Sequence, residues 1–222
     1  SQQPGGSDTT ADMTIVSADN LTLEKSGPAT VQMGTPATYT LDFHNISTGR
    51  VWNPTITDSL PNVADGGMCA AGPSNVTAQI LLADGTTTVS GPLVEGTDFA
   101  VAFTGDPVCQ WTFTLLSPAG GVAADNRLII TYEVNLESET VNGTTLINVA
   151  GVTQWYSADP NVPDATPRIF TYTTTDGTPD NLDFEDTHTT TAEAPILRFE
   201  MSVVNLTTGQ DPGSSASPGD TL

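Results

Sequence analysis

One residue stands apart by its chemistry: Lys25 is the single lysine in a chain of 222 residues. The other cations are Arg50, Arg127, Arg168 and Arg198. Lys25 ends the run LTLEK, in which apolar residues alternate as on a half-buried strand. One ammonium does little for solubility against 26 acidic residues, so its placement needs another reason. Burial favours the neutral amine and lowers a lysine pKa by up to ~3–5 units. A neutral amine is a nucleophile able to attack a carboxamide carbon.

Other chemistry-bearing residues are sparser. Carboxylates gather at Asp176, Asp180, Asp183, Glu185 and Asp186, in a loop with Gly177 and Pro179. Calcium takes several oxygen ligands on flexible loops, so it is the ion this stretch could hold. The spacing is not that of an EF-hand loop, and a solvated acidic linker is the standing alternative. No cofactor is required. Cys69 and Cys109 lie outside any Cys-x-x-Cys pair, and no histidine cluster accompanies them, which argues against zinc. A disulfide between Cys69 and Cys109 is the expected state, as suits an exported protein; two buried free thiols, which would suit a cytosolic one, are the alternative. His44 and His188 are isolated. The chain has no G-x-S-x-G, no H-E-x-x-H and no phosphate-binding glycine loop, so conventional turnover catalysis is not expected. Trp52, Trp111, Trp155 and Tyr156 could line a sugar-binding face, although tryptophans in strands more often belong to the core. Asn-x-Ser/Thr triplets at Asn20, Asn45, Asn75, Asn142 and Asn205 arise readily by chance in so Thr-rich a chain.

These residues must be positioned by β structure. Only 14% of residues are charged and 37% are hydrophobic, so the polar remainder is Thr, Ser, Asn, Gly and Pro rather than helix formers. Thr and Val suit pleated strands, while 20 Gly and 16 Pro suit the turns between them. The fold class is therefore all-β. The net charge of −21 repels nucleic acid and anionic membrane surfaces. No apolar run approaches the ~18 residues needed to span a bilayer, so direct membrane insertion is not expected.

Residues 1–12 (SQQPGGSDTTAD) read as a flexible lead-in, with no signal-peptide pattern. Strand-like segments then follow: MTIV (13–16), LTLEK (21–25), PATVQMG, ATYTLDFHN (37–45) with Tyr39, Leu41 and Phe43 on one face, and VWNPTITDSLP. VTAQILLA (76–83), DFAVAFTG (98–105), CQWTFTLL (109–116), RLIITYEVNLE (127–137), TLINVAGVTQWYS (145–157) and RIFTYTTT (168–175) continue the series. Short strands at this spacing indicate a β-sandwich, here Ig-like and spanning 13–192. The acidic, Thr-rich stretch 176–195 reads as a connection. Beyond it LRFEMS (197–202) echoes LTLEKS (21–26), and PGDTL resembles MGTPATYTL, so 193–222 reads as a junction and the start of a second repeat.

LEKSGPATVQMGTPATYTLDFHN, TITDSLPN, LIITYEVNLE and LINVAGVTQWYS resemble, in this order, the tandem-repeat β-sandwich domain of bacterial surface proteins, a family of unknown function related to the isopeptide-forming domains of fimbrial proteins and adhesins. In such relatives a first-strand lysine joins a last-strand asparagine with help from a buried acid. The resemblance places the lysine at Lys25, the acid at Asp58 in TITDSLP and the asparagine at Asn148 in LINVAGV. It implies that Asp58 holds a proton and donates it to the Asn148 carbonyl oxygen while ammonia leaves. Met201 stands where the second repeat would need its lysine. An ordinary Lys25–Asp58 ion pair, with Asn148 satisfying backbone groups, is the plainer alternative. A cross-link would close a loop of about 120 residues, worth roughly 4–5 kcal/mol.

The expected role is a stalk or fibre module of an extracellular bacterial surface protein, with single-turnover self-cross-linking as its only chemistry. Neighbouring repeats or subunits would be its partners, and the address the cell surface or a secreted fibre. A glycan- or protein-binding adhesin module and a strand-exchanging filament subunit are the alternatives.

Overall fold

The structure is a computed structural model that describes residues 17–173, 184–194 and 202–209. The lead-in at 1–12, the strand expected at 13–16 and nearly all of LRFEMS lie outside the described residues.

The strands in chain order are β1 (Leu21–Ser26), β2 (Thr30–Gln32), β3 (Ala37–Asn45), β4 (Trp52–Ser59), β5 (Asn62–Val63), β6 (Gly66–Gly67) and β7 (Ser74–Leu81). They continue as β8 (Thr88–Ser90), β9 (Phe99–Thr104), β10 (Gln110–Leu115), β11 (Arg127–Val134), β12 (Thr145–Tyr156), β13 (Ile169–Thr171) and β14 (Glu185–Glu193). One sheet runs β1-β3-β11-β7-β8; the other runs β2-β14-β12-β4-β10-β9, with β13 also on β12. The two form a sandwich, and β5 and β6 make a small separate ribbon.

Strict alternation builds the core. Every second residue of β3, β10 and β11 is buried, which brings Tyr39, Leu41, Phe43, Trp111, Phe113, Leu128 and Ile130 inside. Burying each such aliphatic or Phe side chain contributes about 1.5–3 kcal/mol. The same period carries polar groups inward. Lys25 follows Leu21 and Leu23, Asp58 follows Ile56, and Asn148 follows Leu146, all in the buried phase of their strands.

The stretch 176–195 is not wholly a connection. Its residues from Glu185 to Glu193 form β14, held between β12 on one side (antiparallel) and β2 on the other (parallel). Threonines suit such a ladder, but its buried phase is filled by Thr190 and Ala192 rather than large apolar groups, so no hydrophobic alternation announces it. A further consequence is that β12, the strand of Asn148, is not the last strand of the sandwich.

The chain passes from one sheet to the other between β1 and β2, directly after Lys25. The Pro28 carbonyl at this crossing accepts the Thr190 hydroxyl at 2.9 Å and lies 3.1 Å from His188 Nε2. The Tyr39 ring lies against Gly27 so closely that a Cβ there would overlap it. Cys69 and Cys109 are joined as a disulfide across 40 residues, which constrains the unfolded chain by about 4 kcal/mol.

Replacing Gly27 with alanine is expected to destabilise the fold by ~1–3 kcal/mol, because the new methyl must displace the Tyr39 ring. Urea unfolding measures this; an unchanged midpoint would mean that the ring yields freely.

Candidate functional site

Lys25 enters the core from β1, the edge of the first sheet. Asp58 and Asn148 face it from β4 and β12, which are paired neighbours in the second sheet. Asp58 is in register with Ala150, so Asn148 lies two residues along β12 on the same face. From the first sheet, β3 and β11 add the cross-strand partners Tyr39 and Tyr132, whose rings stack at 5.6 Å. Trp111 of β10 closes the cluster edge-on to Tyr132, 4.6 Å between centroids.

One hydroxyl joins the group. Lys25 Nζ donates to Asp58 Oδ2 and, at 2.8 Å, to Tyr132 Oη. Tyr132 Oη in turn donates to Asp58 Oδ2 at 2.6 Å. Asn148 Nδ2 donates to the same tyrosine oxygen at 3.1 Å. The side chains of Lys25 and Asp58 are both 0% exposed. Two buried oxygens of the cluster, Asp58 Oδ1 and Asn148 Oδ1, have no hydrogen-bond partner among the described residues.

Burial dominates the electrostatics. It holds the Lys25 pKa below the ordinary lysine value, against the opposing pull of the Asp58 charge and a weaker one from Asp186. Tyr132 is pushed well above the usual tyrosine range, first by burial and then by the Asp58 charge. Burial also raises Tyr39, while its hydrogen bond with Thr190 opposes the rise. The rings of Tyr39 and Tyr132 lie 5.4 and 5.3 Å from Nζ, and their faces offset part of the cost of an ammonium here. Burial thus shifts the lysine toward its neutral form and the tyrosines away from ionisation.

Of the acids considered for calcium, Asp176, Asp180 and Asp183 lie outside the described residues. Glu185 and Asp186 belong to β14 rather than to a loop, and Glu185 is buried. Asp186 is engaged by backbone: Oδ2 accepts the Lys25 amide at 2.7 Å and Oδ1 the Thr187 amide at 2.8 Å. Trp111 and Trp155 are core residues, the latter stacked on Phe170 and Tyr172; Trp52 and Tyr156 are half-buried. Asn45 is wholly buried with its amide on the Gly49 and Val122 carbonyls, so it cannot act as a glycan acceptor in the folded chain.

Sequence reasoning brought Lys25, Asp58 and Asn148 forward but missed Tyr132, Tyr39 and the clamp of Asp186 on the Lys25 amide. Alternation in RLIITYEV marks Tyr132 as inward-facing. Nothing in the sequence marks its hydroxyl as the meeting point.

No family model matches the chain, and no curated protein sequence matches it. Solved structures do. The pilus backbone of Streptococcus pneumoniae is similar at TM-score 0.45 and 10% identity, over 62% of this chain and 32% of that one. The major pilin subunit of Bacillus cereus is similar at TM-score 0.45 and 11% identity, over 79% of this chain and 40% of that one. The N-terminal domain of a Streptococcus gordonii adhesin is similar at TM-score 0.44 and 12% identity, over 82% of this chain and 34% of that one. The chain thus spans less than half the length of each, and the likeness is one of β-sandwich fold.

The depressed Lys25 and raised Tyr132 set a pH signature. The folded state binds fewer protons at Lys25 than the unfolded state does, so stability rises with pH from the folded lysine value toward about 10.4. The tyrosines act oppositely: their contribution is full below about 10 and is lost above it, where the unfolded phenols ionise. Denaturant unfolding of the Asn148→Leu chain, whose Lys25 amine is free in every case, is therefore expected to show stability climbing as the pH approaches about 10 and falling beyond it. A monotonic fall from neutrality would contradict the lysine direction.

Proposed function

We propose that this chain is a structural module of an extracellular bacterial surface fibre or stalk, tied internally by an isopeptide bond between Lys25 and Asn148. The observation that carries the reading is the meeting of Lys25, Asp58 and Asn148 on one tyrosine hydroxyl, all four buried between the sheets. The ordered sequence motifs supply the surface-protein setting, and the strongly acidic composition suits a solvated exterior.

The chemistry follows from the contacts. Passing one proton from the ammonium to Asp58 across their hydrogen bond leaves a neutral pair, which burial favours over two charges. The freed Nζ attacks the Asn148 carbonyl carbon, and negative charge gathers on Oδ1. Asn148 Oδ1 and Asp58 Oδ1 are the two oxygens of the cluster without partners. Carried on Oδ1 rather than on the Oδ2 that faces Lys25, the Asp58 carboxyl proton would turn one orphan acceptor into a donor for the charge developing on the other. Nδ2 leaves as ammonia. Each chain reacts once, with itself, and burial keeps water from competing.

The mechanical value lies in where the bond would run. Lys25 belongs to one sheet and Asn148 to the other, so the link would add a side-chain covalent tie between two layers that are otherwise held by packing and by the chain's own crossings.

Intact mass under reducing, denaturing conditions is expected to fall short of the sequence mass by one ammonia, and peptide mapping to recover the Lys25 and Asn148 peptides joined. Lys25→Ala and Asn148→Ala chains should show full mass, the latter with a stability loss of roughly 4–5 kcal/mol from the opened loop. A full mass for the unaltered chain would overturn the proposal.

A further inference from the structure

We propose that the Tyr132 hydroxyl carries a proton from the attacking nitrogen of Lys25 to the departing nitrogen of Asn148, a role that rests on the cross-linking reading just given. The need arises from the bookkeeping of hydrogen on two nitrogens. Once neutral Nζ has bonded to the Asn148 carbonyl carbon, it holds two protons where the finished amide keeps one. Nδ2 holds two protons and must gain a third, because an amide anion is far too basic to leave. One proton must therefore travel from Nζ to Nδ2.

Tyr132 Oη is placed for that transfer. It lies 2.8 Å from Nζ and 3.1 Å from Nδ2, and both nitrogens already donate to it. Tyr132 Oη accepts from Nδ2, whereas Asp58 Oδ2 contacts the lysine and the tyrosine. A hydroxyl accepts and donates at one atom. In the tetrahedral intermediate Nδ2 is an amine with a free lone pair, so the hydroxyl can turn from Asp58 Oδ2 toward it, take the surplus proton from Nζ while giving its own to Nδ2, and end as it began. Burial keeps the phenol protonated at neutral pH, so the donated proton is present when needed.

The step balances. Lys25 enters as an ammonium and gives one proton to Asp58. The Nζ–Cγ bond forms with electrons moving onto Oδ1, steadied by the Asp58 carboxyl proton. Tyr132 moves one proton from Nζ to Nδ2. The carbonyl reforms, the Cγ–Nδ2 bond breaks, and ammonia departs. Asp58 is left protonated and Tyr132 unchanged.

The ring of Tyr132 has separate work, stacked on Tyr39 and edge-on to Trp111. Phenylalanine would keep those contacts and remove only the hydroxyl. The test is cell-free synthesis of the full chain, unaltered and as Tyr132→Phe, with intact mass followed over time and folding followed by near-UV circular dichroism. The folded Tyr132→Phe chain is expected to lose ammonia at least ~100-fold more slowly than the unaltered chain, the usual scale of a lost proton-transfer group. A second chain carrying a ring-fluorinated tyrosine at position 132 keeps the shape and hydroxyl but changes the acidity of the proton, and its rate is expected to shift. If the unaltered chain links and Tyr132→Phe links as fast, the relay is overturned and the cross-link stands. Should Tyr132→Phe fail to fold, an unshifted rate in the fluorinated chain overturns the relay instead. If the unaltered chain never loses ammonia, the cross-link and the relay fall together.

Discussion

Taking one ammonium out of water, between two sheets, is the constraint to which the centre of this molecule is fitted. The effective cost of burying an ion is several kcal/mol, and geometry must return most of it. Here the return comes from separate strands: a carboxylate from β4, a hydroxyl from β11, ring faces from β3 and β11. None of these is near Lys25 in sequence. The lysine can be accommodated only when the strands are in register, so the cluster penalises slipped pairings, each of which would strand a charge in apolar surroundings.

The position of Lys25 follows from topology as much as from its own strand. β1 lies at an edge, and the chain leaves its sheet immediately afterwards. The lysine therefore stands close to the crossing, where the two layers come within reach of one side chain. The parts that fix the crossing act on the site as well. Gly27 lets Tyr39 close over the backbone, Tyr39 stacks on Tyr132, and the Asp186 carboxylate holds the Lys25 amide to β14. Strand placement and the chemistry of the cluster are one arrangement.

Much of this was legible in the sequence, and the reasons are specific. The β-sandwich followed from the composition and from alternations such as ATYTLDFHN, whose inward residues are the inward residues of β3. Lys25 was conspicuous as the sole lysine, and its place after Leu21 and Leu23 fixed its direction. Asp58 and Asn148 came from the resemblance of their motifs; their own strands mark them as inward but do not say what they meet. β14 was illegible because its buried face is made of Thr190 and Ala192, residues that carry no hydrophobic signal. Its stability comes from the ladders on both sides, which are tertiary. Tyr132 was not singled out; it is a core aromatic of β11. That its hydroxyl gathers three other side chains depends on the depth of the facing sheet, and no local pattern encodes that distance.

The burial of the only lysine also shapes what the outside of this chain is made of. A lysine-poor chain whose one ε-amine is sealed in the core offers no lysine ammonium to its surroundings. Amine-directed reagents, transamidating enzymes that require a lysine acceptor and proteases that cut after lysine would all find their single target behind two sheets. Any covalent joining of these 222 residues to another molecule through a side chain must use a different functional group, such as one of the 26 carboxylates.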